Sequence, residues 1–319
     1  MHQRQAAFAF VASLVLSVVV PAHGDAPAPV SITVTFVPVA DAVPMKYAIG
    51  EGLFQKAGLD VKVDNVGSGA LATIAVVGGA ADIGSANTLS IVLARSKGVP
   101  LMLVAPQAQY DDRNPTTQLL VSADSPIKTP KDLEGRTVAV AGLHDLLALG
   151  VRAWMSTGGA DPTKVRFIET IQSTMLAALD AKRVDAIMVS EPILTTCEAS
   201  GRTRMLAGPY GSIAQRFVVD DFFASAAWLA SHRDAALRFA DVMRRATAYT
   251  NAHYDEMIPL IASYTSISLE VLRKMRQIKG AQALTPDQIQ PIIEAAVKYG
   301  EIPSGLRAQE MIFTARTRF

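Results

Sequence analysis

Two stretches of the chain show the same alternation of apolar strand patterns and amphipathic helix patterns. The first predicts strands and helices in turn over 30–39, 44–56, 59–63, 70–77, 81–85, 87–97 and 101–105. The second predicts them over 137–141, 146–156, 165–169, 174–179 and 184–189, with a last strand over 204–207. Strands that alternate with helices form largely parallel sheets that the helices cover. The alternation therefore predicts two α/β lobes.

The remainder of the chain is predicted to be mostly helical, over 231–249, 255–264, 269–278 and 286–299. Two lobes and a helical tail fit two arrangements. The lobes either follow each other in series, or they are interleaved, with the chain crossing to the second lobe near Gln107 and returning near Tyr210. The pattern alone leaves both open.

Residues 1–24 have the order of features of a secretory signal peptide. Arg4 precedes a predominantly apolar run over 6–20, and Pro21 ends that run before the small residues Ala22 and Gly24. A helix needs ~20 apolar residues to cross a bilayer, and this run is shorter. We therefore expect cleavage after Gly24 and export to the periplasm, rather than a membrane anchor.

The charge balance excludes some partners. The chain has 30 Lys and Arg and 29 Asp and Glu, so removal of Arg4 with the signal leaves 29 of each. A neutral protein without basic runs does not favour nucleic acid or an anionic membrane surface. A single cysteine, Cys197, excludes an internal disulfide, so the mature chain has to depend on its apolar core. We expect a monomer.

Candidate ligand-binding residues lie in four loops that follow predicted strands. In parallel sheets a ligand lies beyond the carboxyl ends of the strands, where helix N termini present free N–H groups. The loops supply acids, hydroxyls, an amide and an imidazole, namely Asp41, Ser68, Ser85, Asn87, Thr88, His144 and Asp145.

Each of these residues also has a purely structural interpretation. Ser85, Asn87 and Thr88 are good helix caps, and Asp41 and Asp145 can cap helices in the same way. Ser68 fits a plain glycine turn, and an exposed loop explains His144.

Motifs of catalysis and of metal binding are missing from the sequence. There is no H-E-x-x-H, no G-x-S-x-G, no phosphate-binding P-loop and no Cys/His set. We therefore expect a protein that is not an enzyme and that needs no cofactor.

Several motifs, in their order and spacing, resemble those of the periplasmic binding proteins of the nitrate, sulfonate, taurine and thiamine-precursor transporter family. They cover nearly all of the chain after the signal, and the main ones are GEGLF at 50–54, AGLD at 57–60, GGAADIG at 78–84, IKTPKDLEGRTV at 127–138 and VDAIMVSEP at 184–192.

The resemblance implies a type II periplasmic-binding-protein fold with two interleaved α/β lobes. The first lobe would comprise 30–109 and 210–319, and the second would comprise 110–209. It also implies a small-molecule ligand held between the lobes and delivery to an ABC-type permease. Glu191, in a Glu-Pro pair that the family keeps at the cleft, joins the candidate residues. His144 departs from the small or hydroxyl residues usual in its loop.

The expected function is therefore that of a solute-binding protein for a small polar organic solute of the sulfonate, nitrate, taurine, aminopyrimidine or aromatic carboxylate class. Two alternatives remain: an enzyme on the same fold, similar to a thiamine-pyrimidine synthase or a dehydratase, and a periplasmic ligand sensor. None of the four loops contains Arg, which weakens the case for a doubly charged anion. The carboxylates of Asp41, Asp145 and Glu191 would suit an amine.

Overall fold

The computed structural model describes residues 28–319, so the predicted signal peptide lies outside the described residues. Ten strands form two five-stranded sheets among these residues. In chain order they are β1 Val30–Phe36, β2 Leu59–Asn65, β3 Ile83–Asn87, β4 Leu101–Asp111, β5 Thr117–Ser122, β6 Thr137–Val140, β7 Arg166–Glu169, β8 Ala186–Ser190, β9 Thr203–Ala207 and β10 Arg216–Ser225.

Helices cover both sheets. In chain order they are α1 Val43–Gly50, α2 Leu53–Lys56, α3 Gly69–Val77, α4 Thr88–Ser96, α5 Leu146–Thr157, α6 Gln172–Asp180, α7 Ile193–Ala199, α8 Ala226–Ser231, α9 Arg233–Ala252, α10 Tyr254–Tyr264, α11 Leu269–Lys274, α12 Pro286–Lys298 and α13 Ala308–Met311. Within 28–319, no helix combines the length and apolar character that a membrane crossing requires.

The two sheets have the same plan. The first has the order β2-β1-β3-β10-β4 and the second the order β7-β6-β8-β5-β9. Four strands of each sheet run in the same direction, and the fourth in spatial order, β10 or β5, is antiparallel to both of its neighbours. The prediction of largely parallel sheets holds for four strands of each sheet, but the sequence pattern did not reveal the antiparallel strands β5 and β10. The predicted two-lobed α/β class is confirmed.

The chain passes between the sheets twice, after β4 and again before β10. Three aromatic rings pack together at these crossings. The centroid of Tyr110 lies 5.3 Å from that of Tyr210 and 5.2 Å from that of Phe217. Gly150 allows the Tyr210 ring to pack against α5, since a Cβ there would lie 2.7 Å from Cδ1 of Tyr210. The lobe boundaries given above remain a proposal.

One apolar cluster extends through both lobes by way of Tyr110, Tyr210 and Phe217, and each lobe has a further cluster of its own. In the first lobe, one face of α9 packs against the sheet. Its buried residues Ala235, Phe239, Val242 and Ala246 have the spacing of an amphipathic helix. The ring of Phe239 lies 5.5 Å from that of Phe54. In the second lobe the core contains β8 and the buried Cys197 of α7. These cores fix the strand ends from which the candidate site is built.

Candidate functional site

A cleft of about 820 Å³ lies at the carboxyl ends of the strands and takes its walls from both sheets. From the first sheet it receives the loops after β1, β2 and β3 together with β4 and β10, and from the second it receives the ends of β5 and β8. The segment after α10 closes one side with Tyr264, Ile267 and Ile278. Five of the sequence-predicted residues line this cleft, namely Asp41, Ser68, Ser85, Asn87 and Glu191.

Ser68 and Asn87 cap helices that begin at the cleft. The hydroxyl of Ser68 accepts a hydrogen bond from the backbone N–H of Leu71 over 3.3 Å, and the amide oxygen of Asn87 accepts one from that of Leu89 over 3.0 Å. Gly69 permits the first helix to start against β3, because a Cβ there would lie 2.9 Å from that of Ala86. Both residues therefore combine the structural role of a cap with a position on the cleft wall.

A chain of hydrogen bonds fixes Asp41. The Ser85 hydroxyl donates to Oε1 of Gln107, and Nε2 of Gln107 donates to Oδ1 of Asp41 over 3.0 Å. The side chain of Asp220, which comes from β10, lines the same wall of the cleft beside Asp41. Burial raises the pKa of Asp41 to about 6, while the bond from Gln107 opposes that shift. Burial, and after it the adjacent Asp41 carboxyl, raises the pKa of Asp220 well above its ordinary value.

Asp220 and Asp221 are neighbours in the chain but occupy different surroundings. The pairing of β10 with β4 shifts register on both sides of Asp220, which is the signature of a bulge. Asp220 lines the cleft, whereas Asp221 is completely buried and bonds to the Thr88 hydroxyl over 2.7 Å. Burial raises the pKa of Asp221 to about 7. The bulge thus brings Asp220 next to Asp41.

The wall from the second lobe is neutral in its middle part. The Thr117 and Ser190 hydroxyls are 2.9 Å apart, and Oε1 of Gln172 accepts a hydrogen bond from the backbone N–H of Ser190 over 2.9 Å. Thr116 lies beside them. This wall offers hydroxyl and amide groups at the ends of β5 and β8.

Glu191 is the acid of this wall, and it already has partners. Its carboxylate accepts hydrogen bonds from the backbone N–H groups of Thr195 and Arg276, both over 3.1 Å, and its Oε1 lies 3.3 Å from Nη1 of Arg276. The same guanidinium makes two bonds of 2.9 Å to Glu198 of α7. Arg276 follows α11, which packs on the first lobe beside Ala40 and Val43. Arg276 therefore joins the two lobes.

Asp145 lies in a recess of about 260 Å³ that shares Asn87, Thr117 and Ser190 with the cleft. Its carboxylate caps α5 by accepting a hydrogen bond from the backbone N–H of Ala148 over 2.9 Å. Burial raises its pKa to about 6, and three backbone hydrogen bonds oppose that shift. The recess also reaches Asp220.

Two sequence-predicted residues lie away from the cleft lining. The Thr88 hydroxyl faces the interior, where Asp221 and the carbonyl of Val218, 3.0 Å away, surround it. The imidazole of His144 is 74% exposed and pairs with Glu301 over 2.7 Å. Glu301 also pairs with Arg152 over 2.6 Å. Packing of the first turn of α4 explains Thr88, and a surface ion pair explains His144.

Sequence reasoning missed Asp220 and the second-lobe groups Thr117, Gln172 and Ser190, and it placed Gln107 only at the crossing between the lobes. Asp220 did leave a signal, because two acids interrupt an otherwise apolar run over 217–224. The described residues that line the cleft are apolar, neutral polar or acidic, and none of them is Lys, Arg or His. Within 28–319 there is also no group of three or more His, Cys, Asp or Glu able to hold a metal ion.

Comparison with known proteins agrees with this architecture. The model of the NMT1/THI5-like family matches residues 40–257, which is more than half of the chain. None of the curated proteins compared matches the chain in sequence.

Three solved structures show the shared fold. The periplasmic aliphatic sulphonate-binding protein SsuA from Escherichia coli is 17% identical, with 90% of this chain and 93% of that one covered and a TM-score of 0.76. SsuA from Xanthomonas axonopodis pv. citri, bound to MOPS, is 17% identical over 91% and 100%, with a TM-score of 0.73. The periplasmic nitrate-binding protein NrtA from Synechocystis PCC 6803 is 15% identical over 88% and 84%, with a TM-score of 0.71. The predicted family resemblance is confirmed.

Proposed function

Because the chain belongs to the NMT1/THI5-like family, we propose that it is a periplasmic solute-binding protein that captures a small polar organic solute and delivers it to an ABC-type permease. The observation that carries this proposal is the cleft of about 820 Å³, whose walls present hydrogen-bonding groups from both lobes. A solute that bonds to both walls stabilises the closed form over the open one, and a permease can distinguish the two.

The proposed contacts divide between the walls. Asp41, Ser68, Asn87 and Asp220 face the solute from the first lobe, and Thr117, Ser190 and Gln172 face it from the second. Ser85 acts behind Asp41 through Gln107. Asp145 caps α5 in the adjoining recess and is not a direct contact in this proposal. Thr88 and His144 have structural roles in this proposal, and Glu191 holds the lobes together through Arg276.

Export to the periplasm through the predicted signal peptide, a monomeric state and the absence of turnover are parts of the same proposal. The binding proteins that share this fold, two of them described as periplasmic, support export and the absence of turnover. Arg276 supports lobe closure as the response to the solute, because it connects the lobes at one side of the cleft.

The test is a thermal-shift screen over amines, amidines, sulfonates, carboxylates and neutral amides, followed by calorimetry and small-angle X-ray scattering. We expect at least one solute to bind saturably in calorimetry and to raise the free energy of unfolding by RT ln(1 + [L]/Kd). The same solute should reduce the radius of gyration. The recovered solute should be chemically unchanged. Conversion of the solute into product at catalytic rates would favour an enzyme, and a screen without any saturable binder would contradict the proposal.

A further inference from the structure

We infer that the solute is an organic cation whose ammonium or amidinium group lies between Asp41 and Asp220. This inference rests on the proposed function and names the chemical class that the cleft accepts. The site itself is defined by the cleft between the lobes. The charge of the solute is inferred from how that cleft is lined and from which of its carboxylates have partners.

The first step is the charge balance of the lining. The cleft contains Asp41, Asp220 and Glu191 and, within 28–319, no basic side chain. Glu191 is already paired with Arg276. The nearby Lys46 places its Nζ 5.4 Å from the centroid of the Tyr264 ring, and it does not line the cleft. Two acids of the first-lobe wall therefore have no cationic partner among the described residues.

The second step concerns the hydrogen bonds that the two carboxyls receive. Nε2 of Gln107 is the side-chain N–H donor to Asp41, over 3.0 Å, and no side-chain N–H group of the described residues donates to Asp220. Both carboxyls line the same cleft wall, where each disfavours the charge of the other, so the pair is uncompensated within the described chain. A buried carboxylate is costly unless it is paired and hydrogen-bonded. A group with a positive charge and two or more N–H donors provides both.

The third step is that the pair is held in place for this contact. The bulge in β10 brings Asp220 to the cleft, while the chain from Ser85 through Gln107 fixes the orientation of Asp41. Rigid, preoriented acceptors lose little entropy on binding. The raised pKa values of both groups agree with acids that lack a cation, since burial dominates each shift.

The fourth step concerns the remainder of the solute. Tyr264, Ile267, Ile193 and Val37 form apolar parts of the lining, and hydroxyls of Thr117 and Ser190 lie on the opposite wall. These surfaces suit a small organic body attached to the cationic group. A sulfonate or nitrate in the same place would meet two acids and no positive side chain, so like-charge repulsion would oppose its binding.

The test uses probes of one shape and three charges. Benzamidinium, benzamide and benzoate share a ring and differ in charge, and butylammonium with butanesulfonate forms a second matched pair. Calorimetry is performed on the wild-type protein and on Asp220→Asn, Asp41→Asn and the control Asp64→Asn, which removes an exposed acid of β2. Melting temperature and circular dichroism establish that each variant is folded. One folded cleft variant is sufficient for the comparison of affinities.

We expect the two cations to bind the wild type and the Asp64→Asn control, with affinity reduced at least ~10-fold by either cleft substitution. Benzamide should bind at least ~10-fold more weakly than benzamidinium. Saturable binding of benzoate, butanesulfonate or benzamide without binding of either cation would overturn the inference and leave the proposed function standing. Cation binding that Asp220→Asn and Asp41→Asn both leave unchanged would also overturn it. If neither these probes nor the wider screen bind, the proposed function fails as well.

Discussion

The two walls of the cleft deal with buried acids in opposite ways. On the first-lobe wall, Asp41 and Asp220 lie side by side and have no cationic partner among the described residues. On the second-lobe wall, Glu191 accepts hydrogen bonds from two backbone N–H groups and forms an ion pair with the guanidinium of Arg276. An acid whose charge is already compensated contributes to the fold and to the contact between lobes. An acid without compensation is available to a ligand, so the position of an acid at a cleft does not by itself reveal its role.

The largest effect should come from breaking the second-lobe arrangement at Arg276. In Arg276→Met, Glu191 loses its charge partner although its side chain is fully buried. Removal of one partner of a buried ion pair costs about 3–5 kcal/mol, and we expect the lower end because Arg276 is 30% exposed and two N–H groups remain. The measurement is the free energy of unfolding in urea.

Two controls sharpen this prediction. Arg244→Met removes an exposed pair with Asp241 and should cost less than ~0.5 kcal/mol. Adding Glu191→Gln to Arg276→Met should restore part of the lost stability, because the unpaired charge disappears. If Arg276→Met matches the Arg244→Met control, the Glu191 site does not depend on its ion pair and the contrast between the walls is wrong.

The second-largest effect should be a difference between the two walls in how much their acids contribute to ligand affinity. Asp41→Asn should weaken the binding of benzamidinium by ~10- to 100-fold, about 1.4–2.7 kcal/mol, because a charge partner is lost. Glu191→Gln should weaken it by less than ~3-fold, since Arg276 already compensates that carboxylate. Calorimetry measures both affinities. Equal losses in the two variants would show that the acids of both walls act on the ligand.

Much of the fold follows from local patterns in the sequence. The strands that pair in parallel were predicted to within a few residues, because apolar residues recur along them and helix patterns separate them. The two antiparallel strands escaped prediction because their sequences do not show a simple period. In β10 two adjacent acids interrupt the apolar run, since one of them faces the cleft and the other the core.

The site was predictable only in part, for a similar reason. Strand-end loops are recognisable in the sequence, which predicts Asp41, Ser68, Ser85 and Asn87 at the cleft, and the family resemblance adds Glu191. The direction of a side chain within the first turn of a helix is not visible in the sequence, so Thr88 was included. The partner of Glu191 was also hidden, because Arg276 lies 85 residues further along the chain.

A smaller effect should distinguish the buried Asp221 from the cleft acids. Thr88→Val removes the side-chain hydrogen bond that lowers the pKa of Asp221, which burial raises to about 7. A carboxyl with a raised pKa in the folded state stabilises the fold most at low pH, and this stability is lost as the pH rises through about 7. The substitution should therefore cost about 1 kcal/mol at pH 5 and about 2 kcal/mol at pH 8.

Urea unfolding at the two pH values measures the difference, and the exposed Thr196→Val provides a matched control. Affinity for benzamidinium should stay within ~2-fold of wild type, because Thr88 and Asp221 do not line the cleft. A pH-independent cost would show that Asp221 keeps one protonation state across this range. A large loss of affinity would show that the interior and the cleft wall are coupled through β10.

The smallest effect should come from His144, at the second ion-pair contact between the lobes. Glu301 is almost completely buried and is shared by Arg152, 22% exposed, and His144, 74% exposed. An exposed partner contributes little because water screens it, so His144→Ala should cost less than ~0.5 kcal/mol in unfolding free energy. Arg152→Met should cost about 2 kcal/mol, since it leaves Glu301 with only the exposed imidazole.

Neither substitution at this contact should alter affinity for benzamidinium, because both side chains lie away from the cleft lining. The loop that carries His144 nevertheless leads directly into Asp145, which faces the recess beside Asp220. A loss of affinity in His144→Ala without a loss of stability would therefore mean that this loop positions Asp145 for the ligand. The second-lobe wall would then contribute a charge of its own, and the division between a wall that recognises the cation and a wall that joins the lobes would no longer hold.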